Sequence, residues 1–237
     1  MIVKVIGSGS MWTSYNSASY LIDDSIVVDY PNGMCKYLFR IGVDPRTINH
    51  ILITHFHGDH YFDIPFMFIL KSRAENNLLN IYCSKNGKDK NNKLLKLAFP
   101  NSAKDILKEA DIKYNYKEKF KIDGYDVSKV LVSHGRTKPS YGYILSKDNN
   151  CIGFTGDTTI CEGVKYMASK CDYLFCDCMF IKGTTKHMGI DMLEELSREY
   201  PNCKFVVSHL EDSTRHELQK SNIPNVIIPE DGQVIII

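Results

Sequence analysis

The chain has no CxxC pair, no apolar run of membrane length, no low-complexity linker and no short-period repeat. Each absence closes off a class of protein. The longest strongly apolar run is IPFMFIL, well short of the roughly 20 residues a membrane helix needs. The start, MIVKVIGSGS, carries a lysine inside its apolar run and turns polar after Gly7, which does not fit a secretory signal. Eight cysteines with no spaced framework point to reduced, mostly buried thiols, so a soluble cytoplasmic protein without membrane association is expected. Cys176 and Cys178 would share one side of a strand, with Asp177 on the other. Net charge is nearly absent too: 29 basic residues face 28 acidic ones, leaving +1, so local charge has to decide whether an anion is favoured. GSGS at 7–10 lacks the third glycine of a dinucleotide fingerprint and belongs to a β-rich opening, which sets dinucleotide binding aside.

A chain of 237 residues can bury a full core, and nothing in it marks a linker, so one domain over 1–237 is the simplest organisation. Short β-rich runs open it: IVKVIG (2–7), SYLI (19–22) and SIVVD (25–29), separated by Gly, Ser, Asn and Asp. GMCKYLFRIG (33–42) has helical spacing, HILIT (50–54) reads as a buried strand, and HYFDIPFMFIL (60–70) as a helix with Pro65 in its first turns. LNIYCS (79–84) is a further strand. The stretch 85–121 holds eleven lysines and five acids, either a solvated helix face or a patch that attracts phosphate. Strands then recur at 125–134, 140–146, 151–157, 172–179 and 204–209, with helices near 160–169, 191–200 and 213–221 and the closing strands NVII and QVIII. Two halves, each of strands followed by helices, point to two sheets packed face to face with helices outside.

Three of the eight histidines fall within THFHGDH at 54–60, beside an aspartate. Leaving a strand in extended conformation, His55 and His57 point the same way and present two imidazoles to one ion. Gly58 lets the chain turn, and Asp59 and His60 start the next helix, where an aspartate suits the positive end. A cluster of this kind is the signature of a metal site.

H-x-H-x-D-H after a buried strand resembles the metallo-β-lactamase superfamily. The resemblance implies a four-layer αββα sandwich with a metal pair between the sheet edges. It asks for a later His, a metal-bridging Asp and a final His at strand ends; His134 ends VLVSH, Asp157 ends CIGFTGD and His209 ends KFVVSH. Carried over, His55, His57 and His134 hold one metal, Asp59, His60 and His209 the other, and Asp157 bridges them. Nitrogen and oxygen ligands without a thiolate suit two Zn2+, and admit Mn2+ or Fe2+. A metal pair that holds a bridging hydroxide and clamps attacking and leaving oxygens implies a hydrolase, with Asp59 able to hold the hydroxide's proton.

Within the superfamily, IGSGS with NSASYLI, SHGRTKPSYGY (133–143) and FTGDT (154–158) resemble the ribonuclease Z and phosphodiesterase branch. Ser140 or Tyr141 offers a hydroxyl, and Arg136 or Lys138 a charge, to a phosphoryl oxygen. His187, just before a helix, resembles the family histidine that protonates the leaving group. Three departures stand out. Only SKDNN (146–150) separates YIL from CIGF, so the tRNA-gripping arm of ribonuclease Z has no room; DIPF at 63–66 replaces a glycine-containing stretch; and SHLED places Glu211 and Asp212 where Ser and Arg are favoured, with Arg215 and His216 available to pair them. Full-length tRNA is therefore a doubtful substrate, whereas a cyclic nucleotide or a short piece of RNA or DNA remains open. The alternatives are a lactone, thioester or β-lactam hydrolase on the same metal core, and a non-catalytic binding protein that uses the lysine-rich segment for partners. The branch often dimerises, and IPFMFIL offers either an apolar face for a homodimer or core.

Overall fold

The computed structural model describes residues 1–237. The first part of the chain forms β1 (Ile2–Gly7), β2 (Ser19–Ile22), β3 (Ile26–Val28), α1 (Met34–Arg40), β4 (His50–Leu52), α2 (Gly58–Tyr61), α3 (Ile64–Ser72), β5 (Leu78–Tyr82), α4 (Gly87–Ala98), α5 (Ala103–Glu109) and β6 (Asp111–Asn115). The second part forms β7 (Lys119–Ile122), β8 (Tyr125–His134), β9 (Thr137–Lys147), β10 (Asn150–Phe154), α6 (Glu162–Lys170), β11 (Tyr173–Asp177), α7 (Ile190–Glu199), β12 (Lys204–Ser208), α8 (Asp212–Lys220), β13 (Val226–Ile227) and β14 (Val234–Ile236). They make two seven-stranded sheets, ordered β14-β1-β2-β3-β4-β5-β6 and β13-β12-β11-β10-β9-β8-β7.

Three apolar cores define four layers. Between the sheets, Val3, Val5, Tyr20 and Val28 meet Tyr143, Phe154, Phe175 and Val206. Helices α1, α3, α4 and α5 cover the outer face of the first sheet through Leu38, Met67, Phe68, Leu95 and Ile106. Helices α6, α7 and α8 cover the second through Val164, Met167, Leu193, Leu196 and Leu218. Strands buried on both faces read as continuous apolar runs, which is why IVV, HIL and YLFC carry no alternation. The expected αββα sandwich is thus the architecture found.

Three details differ from the sequence reading. The two halves are not fully separate, because β14 returns to the first sheet and pairs antiparallel with β1, Ile2 opposite Ile236. The helix expected over 60–70 breaks at Phe62–Asp63: the Asp63 carboxylate accepts the Cys35 N–H at 3.0 Å, and Pro65 falls in the first turn of α3, where no intrahelical donor is needed. The lysine-rich segment contains α4 and α5 but also β6 and β7, one at the edge of each sheet. Lysines on DIKYN and KFKI mask the helical or strand pattern yet suit edges, since charge there discourages pairing with another chain.

Strands β10, β11 and β12 run parallel, and so do β3, β4 and β5. Their carboxyl ends gather on one edge of the sandwich. That edge receives Asp29 after β3, His55 after β4, His134 at the end of β8, Asp157 after β10, Asp177 at the end of β11 and His209 after β12.

Candidate active site

His55, His57, Asp59 and His60 leave β4 and enter α2, and the second sheet supplies the facing residues. Asp157 sits in the middle. One of its oxygens lies 3.2 Å from His60 Nε2; the other lies 3.7 Å from His55 Nε2, 3.9 Å from His134 Nε2 and 3.5 Å from His209 Nε2. Asp59 Oδ2 is 3.3 Å from His209 Nε2 and 3.7 Å from His60 Nε2, and His57 Nδ1 is 3.2 Å from His134 Nε2. The ligand atoms fall into a group of His55, His57, His134 and Asp157 and a group of Asp59, His60 and His209, each within 4.8 Å. All seven residues expected from sequence are therefore together, and all but His57 are buried.

Electrostatics and orphaned atoms test whether a cation fits. His55 Nε2, His60 Nε2, Asp59 Oδ1 and His209 Nδ1 are buried without any hydrogen-bond partner. Such atoms are costly unless something ligates them. Burial pulls the Asp157 carboxyl upward, but His209, His60 and His55 outweigh it and hold the group well below the usual carboxylate range. Burial disfavours a charged His209, yet Asp157 and Asp59 push it up to about 9. His60 is likewise held well above an ordinary histidine by Asp157 and Asp29, against its burial. Burial and the neighbouring His60 hold His55 well below. A carboxylate-imidazole cluster so polarised could hold a cation, and the donor set suits divalent metal.

Two aspartates that the sequence reading did not assign hold histidines of the site in place, Asp29 holding His60 and Asp177 holding His187. Asp29 accepts from the Thr54 amide at 2.8 Å and hydroxyl at 2.7 Å and lies 2.7 Å from His60 Nδ1, leaving His60 Nε2 to face Asp157. Asp177 lies 2.8 Å from His187 Nδ1 and accepts the Thr158 and Met179 amides at 2.9 and 3.0 Å. The alternation in FCDC carried a signal for it: Cys176 and Cys178 pack into the outer core while Asp177 points to the site. Asp29 had no such signal beyond its place at a strand end. Asp29 and His209 both adopt left-handed backbone, φ 59° and 57°, which non-glycine residues tolerate only where surrounding contacts enforce it.

His187 lies over the cluster, its ring stacked on that of His209 at 5.1 Å and edge-on to His134 at 4.8 Å. The four residues of SHGRTKPSYGY divide. Tyr141 donates its backbone N–H to the Thr54 carbonyl at 3.0 Å, beside His55. Lys138 and Ser140 line a groove with Cys161, Glu162 and Gly163 on the helix side of β9, and the Ser140 hydroxyl donates to the Thr137 carbonyl. Arg136 is exposed on the hairpin tip. Thr137, not singled out from sequence, is the neighbour of His57, Oγ1 to Nε2 3.0 Å. Arg215 does not pair Glu211 or Asp212: it donates to the Pro229 carbonyl and to Ser8 Oγ, and stacks on Tyr15 at 3.8 Å. Glu211 is instead the N-cap residue of α8 and Asp212 lies in its first turn, where the helix dipole offsets their charge.

The family model for the anti-Pycsar protein Apyc1 matches residues 1–230. Ribonuclease Z of Pyrococcus horikoshii is 28% identical over 123 residues, covering 52% of this chain and 38% of that protein, so the match spans well under half the relative's length. Among solved structures, the metallo-β-lactamase fold protein YhfI from Bacillus subtilis superposes with a TM-score of 0.80 at 18% identity, over 99% of this chain and 98% of its own. A diphosphatase of the PhnP family gives 0.78 at 19% identity, over 100% and 97%. No helix is long and apolar enough to cross a membrane.

Proposed function

The chain belongs to the anti-Pycsar protein Apyc1 family, within the metallo-β-lactamase superfamily, and from that premise we propose that it is a metal-dependent phosphodiesterase acting on a small phosphodiester. The observation that carries the reading is the pair of candidate ligand groups gathered around Asp157, with His55 Nε2, His60 Nε2 and Asp59 Oδ1 buried and unpartnered. His55, His57 and His134 would hold one ion, Asp59, His60 and His209 a second, and Asp157 both, with zinc the first choice and manganese or iron admitted by the same donors. Bound there, a metal pair lowers the pKa of water and neutralises charge on phosphoryl oxygens.

The chain's own residues do the rest. Asp177 takes His187 Nδ1, so the free Nε2 is the nitrogen that hands a proton to the departing alkoxide. Asp59 Oδ1 is buried without a partner and would hold a proton of the attacking water. Phosphodiester chemistry is supported by the ribonuclease Z relative, whose name gives it an RNA substrate. A small substrate is supported by the β9–β10 hairpin: Asp148 and Asn149 alone join the strands, both at positive φ, leaving no place for an inserted arm. A cyclic nucleotide or short oligonucleotide fits these limits better than full-length tRNA.

The test is hydrolysis of bis(p-nitrophenyl) phosphate by zinc- or manganese-loaded protein beside Asp157→Ala. Turnover that disappears in the variant supports the reading; no turnover with both ions bound overturns it in favour of lactone, thioester or β-lactam substrates. His187→Ala should slow esters of poor leaving groups far more than nitrophenyl esters.

A further inference from the structure

Away from the histidine edge, at the opposite end of β10, two thiols face each other. All eight cysteines are free; Cys35, Cys151 and Cys161 reach solvent and the other five are buried. Cys151 lies at the start of β10 and Cys171 between α6 and β11, and their sulfurs are 3.7 Å apart. The backbone builds this meeting. β10 and β11 run parallel, Ile152 opposite Tyr173, and Asp172 ties their starts together: its N–H donates to the Cys151 carbonyl at 2.8 Å, and its carboxylate accepts the Cys151 N–H at 2.7 Å. Gly153, two residues on and therefore on the same face of β10 as Cys151, leaves the room, since a Cβ there would lie 2.9 Å from Cys171 Sγ.

Cys151 is the accessible member of the pair. It lines a surface groove of about 500 Å3 with Ser146, Lys147, Tyr166 and Lys170, whereas Cys171 is 6% exposed. The Cys171 thiol lowers Cys151 to about 7 against its burial and the charge of Asp172, helped by the Ser146 hydroxyl, which donates at 3.4 Å, and by Lys170. The same contact, together with burial, pushes Cys171 up, so the reachable sulfur is the thiolate and the enclosed one keeps its proton.

Independently of the phosphodiesterase reading, we propose that Cys151 and Cys171 form a peroxide-reactive dithiol, in which Cys151 attacks a hydroperoxide and Cys171 converts the product to a disulfide. The Cys151 thiolate attacks one peroxide oxygen; an S–O bond forms, the O–O bond breaks, and the departing alkoxide or hydroxide takes a proton to leave as alcohol or water. Cys171 sulfur then attacks the sulfenic sulfur; the S–S bond forms, the S–O bond breaks, and the hydroxide released takes the Cys171 proton and leaves as water. Two thiols are oxidised and one hydroperoxide is reduced. The sulfurs have only to close from 3.7 Å to about 2.0 Å. The bridge would close a loop holding β10, Asp157 and α6, with its ends already together in the native fold.

The test treats reduced, zinc-loaded protein with one equivalent of hydrogen peroxide, blocks remaining thiols with iodoacetamide and maps the peptides by mass spectrometry. A Cys151–Cys171 bridge should form first and be reversed by dithiothreitol. Cys171→Ser should stop at a sulfenic acid on Cys151 that dimedone traps, and Cys151→Ser should slow peroxide consumption by ~10-fold. Bridging should also raise Tm, by about 5 °C, because the partners meet in the folded state. Oxidation spread over the cysteines without preference, pairing of Cys151 with the buried Cys203 instead, or a bridge that lowers Tm overturns the proposal. Cys151 is partly exposed, so its serine variant folds and the test stands even if Cys171→Ser does not fold.

Discussion

Asp29→Ala probes how the scaffold sets the metal-ligand geometry. Asp29 is buried and receives three hydrogen bonds, from the Thr54 amide, the Thr54 hydroxyl and His60 Nδ1, all at 2.8 Å or shorter. Truncation leaves the Thr54 amide unsatisfied in the interior, at about 1–3 kcal/mol, and frees the His60 ring to rotate. Loss of the carboxylate behind a metal-binding histidine typically lowers metal affinity about 10–100-fold. A second effect opposes this. Asp29 helps hold His60 in its protonated form, and that proton competes with metal, so the alanine variant meets less competition. The net loss should therefore sit near 10-fold at pH 7 and widen as the pH rises and proton competition fades for both proteins. Asp29→Asn, which keeps an acceptor for the Thr54 amide, should be intermediate. Zinc titration against a chromogenic chelator at several pH values reads these differences directly. Wild-type affinity in the alanine variant across the whole range, with the fold intact by circular dichroism, would refute the assignment of His60 as a ligand positioned by Asp29.

Other expectations follow from packing and charge. Gly156 has φ +60° and its missing Cβ would lie 2.7 Å from Thr54 Cβ, so Gly156→Ala should destabilise the fold by roughly 1–3 kcal/mol in denaturant titration and weaken metal uptake by displacing the neighbouring Asp157. Phe175 is buried between Tyr20 and Phe154, ring centroids 5.0 and 4.7 Å away, and Phe175→Ala should cost about 3–5 kcal/mol with no change in the order of metal affinities. In the metal-free protein His209 is raised to about 9 from an ordinary 6.5. Its protonation therefore stabilises the fold fully below about pH 6.5, and that contribution, on the order of 3 kcal/mol, is lost as the pH rises through 9. Metal binding must displace the same proton, so calorimetry at pH 7.5 in buffers of different ionisation enthalpy should show net proton release; none would count against a protonated His209.

How much of this was legible depends on the range over which each signal acts. THFHGDH is local: strand alternation followed by a turn fixes where four candidate ligands point, and strand ends at His134, Asp157 and His209 complete the candidate set. The sandwich was legible because each half alternates apolar runs with helical spacing. The return of β14 to the first sheet was not, since a three-residue strand carries no address and its pairing is settled by which edge remains open. β6 and β7 were obscured because edge strands are selected for lysine, the residue that also marks a solvated helix. Asp29 and Asp177 are ordinary aspartates in sequence; only the approach of His60 and His187 from elements 31 and 10 residues away gives them a task. The partner of Arg215 was left open for the same reason, and proximity to Glu211 in sequence lost to Ser8 and Pro229 in space.

Charge is arranged unevenly around the site, and this bears on how an anion reaches it. Glu211 and Asp212 stand after His209 at the start of α8, where the helix terminus offsets but does not reverse their charge. Lys85 and Lys129 stand on the opposite flank, with Lys90 4.7 Å over the Phe56 ring between His55 and His57. A phosphodiester approaching from the acidic flank is repelled and one approaching along the lysines is drawn in, so the lysine flank should govern association. Lys85→Glu places an acid at an exposed position, and it should lower kcat/KM for bis(p-nitrophenyl) phosphate by more than the neutral Lys85→Met does. The excess should shrink as salt shortens the range of the field, to ~8 Å at physiological ionic strength and ~3 Å at 1 M. A difference between the two variants that is independent of salt would mean that Lys85 acts by contact alone, and the electrostatic asymmetry would then have no part in substrate entry.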